Sequence, residues 1–85
     1  MTDDVERAQA YIGIRMKEWR EHKKITKEDA ASFIGASVAD IDLYENGHMP
    51  IHAITLFRFA ACVNVPVSYF LSDAYEKIIE EAEKS

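Results

Sequence analysis

The stretch ITKEDAASFIGASVADIDLYENG, from Ile25 to Gly47, decides the fold. It reads as a short helix, a tight turn and a second short helix, with cap chemistry at both helix starts. Thr26 precedes Asp29 by three residues, and Ser37 precedes Asp40 by the same interval. A hydroxyl three residues before a carboxylate resembles the capping box, with Asp in place of the usual Glu or Gln. Gly35 lies between the two segments, where a sharp bend needs a residue that tolerates positive φ. Asn46-Gly47 ends the second helix. The spacing predicts helices over 27–34 and 38–45.

Outward from this stretch the pattern stays helical. Val5, Ala8, Ile12, Met16 and Trp19 recur at three- and four-residue steps, so a first helix is expected from about Asp4 to Lys23. Gly13 inside it suits a close helix approach. After Pro50, residues 52–63 are apolar almost all round (Ile54, Leu56, Phe57, Phe59, Ala60, Ala61, Cys62, Val63), which predicts a central helix. Pro66 opens a short fifth helical turn through Val67, Tyr69, Phe70 and Leu71. A sixth, C-terminal helix is expected from Asp73. The aromatic residues Trp19, Phe57, Phe59, Tyr69 and Phe70 read as core.

Composition fits one domain. The chain has 85 residues, 48% of them hydrophobic and 29% charged, enough to bury a single core. One cysteine, Cys62, excludes an internal disulfide framework and fits a reducing compartment. No leader-like segment or membrane-length apolar run is visible, so a cytoplasmic protein is expected. The net charge of −5 is unevenly spread. Residues 11–27 carry Arg15, Lys17, Arg20, Lys23, Lys24 and Lys27 against Glu18 and Glu21. Residues 28–52 carry Glu28, Asp29, Asp40, Asp42 and Glu45 and no Lys or Arg.

Two short helices joined by a Gly-containing turn form the helix-turn-helix unit, whose second helix often enters the major groove of DNA. Residues 11–71 as a whole resemble the Cro/C1-type (xenobiotic-response-element) helix-turn-helix family. The matching pieces are Ile12-Gly13 with Arg15, Met16, Trp19 and Arg20, then Ile25 to Ala31, Ile34 to Ser37, and Ile41. Tyr44-Glu45-Asn46-Gly47, Leu56, Phe59-Ala60 and Val65 to Phe70 complete them. The Tyr-Glu-x-Gly turn and the Val-Pro-Val-Ser-Tyr-Phe segment are similar to those of alphaproteobacterial regulators. The resemblance implies an all-α, five-helix lambda-repressor-like DNA-binding domain over 1–72, its helix-turn-helix unit at about 26–46. Residues 73–85 add an amphipathic C-terminal helix.

By the same resemblance, Arg20 and Glu45 form a structural ion pair. Lys27 occupies a phosphate-contacting position, as does the backbone at Asn46. Ser37, Val38, Ala39, Asp42 and Leu43 occupy the base-reading positions, and Lys17, Lys23 and Lys24 form a supporting basic patch. The implied partner is double-stranded DNA. Yet bidentate reading of guanine or adenine uses Arg, Lys, Asn or Gln, and none stands between Ser37 and Glu45. Val38, Ala39 and Leu43 suit thymine methyls, and Asp42 suits the cytosine amino group. An acid about 7 Å from a phosphate costs roughly 2 kcal/mol before screening. The alternative is a helix-turn-helix fold used as a protein-interaction module, an antirepressor or adaptor, with the apolar third helix as its contact.

Enzymatic signatures are missing: no phosphate-binding Gly-rich loop, no nucleophile elbow and no HExxH. Pro50 lies between His48 and His52, and Cys62 is the only thiol, so no metal and no cofactor are expected. Tyr75, Ile78, Ile79 and Ala82, with Ala74, stripe the C-terminal helix and are expected to make a homodimer. The competing arrangement folds that helix back over Val5, Ala8 and Tyr11.

Overall fold

A computed structural model describes residues 2–84 and contains, among them, five helices and no strand. These are α1 (Thr2–His22), α2 (Lys27–Ile34), α3 (Val38–Glu45), α4 (Ala53–Val63) and α5 (Ser68–Lys84). The all-α expectation holds, and the bounds of α2 and α3 match those expected.

Both short helices start as their caps dictate. The Thr26 hydroxyl accepts the Asp29 N–H at 3.1 Å. Ser37 accepts the Asp40 N–H at 3.1 Å, and the Asp40 carboxylate accepts the Ser37 N–H at 3.2 Å, a complete capping box. Four helices also end alike. The N–H groups of Ile25, Ala36, His48 and Val65 reach back to Arg20, Ala31, Leu43 and Ala60 O at 2.9–3.0 Å. Each closes a Schellman turn around one left-handed residue: Lys24, Gly35, Gly47 or Asn64. Lys24 is the exception in chemistry, since at φ 59° it is neither a Gly nor an Asn, the residues that adopt this region readily. Lys24→Gly is therefore expected to raise stability by about 0.5–1 kcal/mol, read as a higher urea midpoint at unchanged m.

Met16, Ala30, Ala31, Ile34, Ile41, Leu56, Phe59, Ala60, Val63, Val65 and Phe70 form the buried core. Phe59 and Phe70 meet edge to face at 5.9 Å between ring centres. The core is one-sided on α4, against the expectation of a helix buried all round. Ile54 and Phe57 are 66% and 58% exposed, because only α2 covers α4 extensively and the other flank meets water. Phe57 and Tyr69 accordingly leave the expected aromatic core and lie at the surface.

The expected break between a fifth and a sixth helix does not occur. No Gly or Pro follows Pro66, so nothing forces residues 72–73 out of helical geometry, and α5 runs unbroken. It lies along α1 in the most extensive helix pairing of the molecule. Tyr69 meets Trp19 with ring centres 6.0 Å apart. Further along, Leu71, Ala74 and Ile78 line a groove with Val5, Ala8 and Ile12. Ala74 is buried there, while Tyr75 and Ile79 remain exposed.

Candidate nucleic-acid interface

The position of α3 is set from beneath by α1. Gly13 has no side chain where the carbonyls of Tyr44 and Glu45 press on α1; a Cβ there would lie 2.4 Å and 2.8 Å from the two oxygens. One turn earlier, Ala10 packs on Gly47, where a Cβ would sit 2.9 Å from the Ala10 Cα. Arg20 then fastens the same end. Its Nε donates to Glu45 Oε2 at 2.7 Å and its Nη2 to Oε1 at 3.1 Å. Its Nη1 donates to Ile25 O at 2.9 Å. Both residues are buried, and the bidentate fork satisfies the carboxylate as it neutralises it. The hydrogen bond and charge of Glu45 push the guanidinium's pKa still higher, against the opposing effect of burial.

With its inner side fixed, α3 turns its remaining residues outward. Ile41 is fully buried, and Val38 is half-buried and packs against the core. Ser37, Ala39, Leu43 and Asn46 are exposed, Leu43 at 39%. The hydroxyl of Ser37 is occupied as an acceptor by its cap, and the Asn46 N–H is spent on Asp42 O at 3.0 Å. Lys17, Lys23 and Lys24 lie exposed on or just after α1.

One contact was invisible in the sequence. Lys27, at the start of α2, places its Nζ 2.5 Å from Asp42 Oδ1 on α3. The two stand fifteen positions apart, and no periodicity links them; only the crossing of α2 and α3 brings the candidate phosphate ligand onto the candidate base reader. Hydrogen bonding to Asp42, then its charge, raises the lysine pKa. A raised cationic pKa means the pair contributes fully below the ordinary lysine value and is lost as pH climbs through the folded one. Both side chains are well exposed, so the pair adds little to stability. Its importance is that it holds Lys27.

The apolar surface extends beyond α3. Phe33 on α2, with Ile54 and Phe57 on α4, is exposed, as are Val5, Tyr69, Leu71 and Tyr75 around the α1–α5 pair. Among the described residues, no single helix is long and apolar enough to cross a membrane.

Residues 16–70 match the family model described as "Helix-turn-helix". An uncharacterized transcriptional regulator in the ATPase CF(0) region of Rhodospirillum rubrum is 33% identical over 72 residues, spanning 85% of this chain and 67% of that protein. Among solved structures, the clp gene regulator ClgR from Corynebacterium glutamicum superposes with a TM-score of 0.78 at 17% identity. That match covers 91% of this chain and 82% of ClgR. The restriction-modification controller protein C.AhdI from Aeromonas hydrophila gives 0.66 at 18% identity, covering 82% and 98%. At such identities the two structures speak for the fold alone.

Proposed function

The chain belongs to the Cro/C1-type helix-turn-helix family of DNA-binding transcriptional regulators, and we propose that it acts on double-stranded DNA as a homodimer with α3 in the major groove. The observation that carries this reading is the intact α2–turn–α3 unit, capped at both starts and locked to α1, with the outer side of α3 open to solvent. Lys27 and the exposed side chain of Asn46 then approach phosphates. Ala39, Leu43 and the accessible part of Val38 meet thymine methyls, Asp42 accepts from a cytosine amino group, and Ser37 stands at the groove edge. Lys17, Lys23 and Lys24 attract the duplex at longer range. This is a regulator's work, not an enzyme's, and it belongs in the cytoplasm.

Dimerisation is assigned to the far side of α5. Tyr75 and Ile79 stay exposed after α5 has packed on α1, and Tyr75 borders the mostly apolar groove between the two helices. A second copy covering this face, Ala82 included, gives two reading helices for two half-sites. Tyr75→Glu combined with Ile79→Glu is expected to yield a folded monomer by light scattering with unchanged helicity. A dimer that survives both charges would move the interface elsewhere.

Lys27→Ala tests the DNA face. It is expected to weaken all sequences about equally and to reduce the salt slope of binding by roughly one unit. Loss confined to one sequence would make Lys27 a base reader. The exposed Leu43 on an α3 without Arg, Lys, Asn or Gln favours a second reading, a protein-interaction module of the antirepressor or adaptor kind. Absence of DNA binding with retained fold would select it.

A further inference from the structure

We infer that Asp42 sets the domain's affinity for DNA by competing with phosphate for Lys27, an inference that rests on the regulator reading above. Within the helix-turn-helix unit, residues 26–46, Lys27 is the only Lys or Arg; the other charges there are Glu28, Asp29, Asp40, Asp42 and Glu45. The Nζ of that single cation lies on Asp42 Oδ1. Arg20 cannot stand in for it, being held by Glu45 and the Ile25 carbonyl in a buried site. The Lys27–Asp42 pair is at the surface, with side chains 39% and 46% exposed, so an incoming anion reaches it without unfolding anything.

Binding is thus an exchange. The lysine leaves a carboxylate for a phosphate, and the carboxylate it leaves lies on the helix that faces the duplex. Each contact of this kind gains less than a free lysine would give, because one acid is uncovered as one phosphate is neutralised. A sequence offering a cytosine amino group to Asp42 recovers part of the loss, whereas unrelated sequence does not. Asp42 therefore suppresses non-specific binding most strongly.

The experiment compares wild type, Asp42→Asn, Lys27→Ala and the double variant on a mixed-sequence duplex, by fluorescence anisotropy across a salt series. Asn keeps the size of Asp, and circular dichroism checks that each variant folds. Asp42→Asn is expected to bind roughly three- to tenfold tighter at low salt, the gain shrinking as salt is raised. In the Lys27→Ala background the same substitution should lose most of that gain. An equal gain in both backgrounds would overturn the exchange and leave only general repulsion by Asp42. Wild-type binding with no gain in Asp42→Asn would overturn it while sparing the regulator reading. If neither protein moves the duplex at micromolar concentration, both readings fall; binding by Asp42→Asn alone supports the exchange in its strongest form.

Discussion

Alanine at position 13 is expected to cost about 3 kcal/mol or more, near or beyond the upper end of ordinary overpacking. A single methyl group would stand 2.4 Å from the Tyr44 oxygen and 2.8 Å from that of Glu45. Both obstacles are backbone atoms at the end of α3, so no side-chain rotation relieves them. Either α3 moves off α1 or α1 bends, and each response disturbs the buried Arg20–Glu45 pair. Chemical denaturation of Gly13→Ala measures the loss. Ala is the better helix former by about 1 kcal/mol, so a stabilised variant would mean that the two helices do not approach as described.

Arg20→Ala carries the other large effect. It leaves the Glu45 carboxylate buried without its partner and frees the Ile25 carbonyl, so a loss of about 3–5 kcal/mol is expected. In a domain of this size that lowers the thermal midpoint by more than about 10 °C. The double replacement Arg20→Met with Glu45→Leu should recover most of the loss, because no charge is then stranded. Calorimetry of the three proteins distinguishes a buried pair from an exposed one, for which each change would be nearly neutral.

These two positions also show how much the sequence discloses. Cap residues act locally, so Thr26, Ser37, Gly35 and Gly47 marked α2 and α3 to the residue. Gly13 and the Arg20–Glu45 pair were legible as types, the first as a permissive residue in a helix and the second through family resemblance. The misreadings have one physical origin: local pattern does not say which neighbours arrive. Residues 52–63 look buried on every side, yet α4 is covered on one side and leaves Ile54 and Phe57 in water. Ser72-Asp73 resembles a helix start, but without Gly or Pro the preceding turn continues into α5. Lys24 in a left-handed turn has no signature in composition, and Lys27 on Asp42 depends wholly on the crossing of two helices.

For the site, the resemblance supplied positions and the structure supplied their state. Ser37 is engaged in a cap, Val38 packs on the core, and Asp42 is tied to Lys27. What remains open on α3 is small, apolar and acidic. A surface of that kind is expected to bind DNA with modest affinity and to depend on the proposed dimer for the rest, since joining two half-sites multiplies what each contributes.

The most direct measurement is a gel-shift titration with the intergenic DNA upstream of the protein's own gene at low salt. A retarded band is expected at or below micromolar protein, weakening steeply as salt is raised. No retarded band at micromolar protein, from a preparation that is folded, would contradict DNA binding and leave the interaction module as the function of this fold.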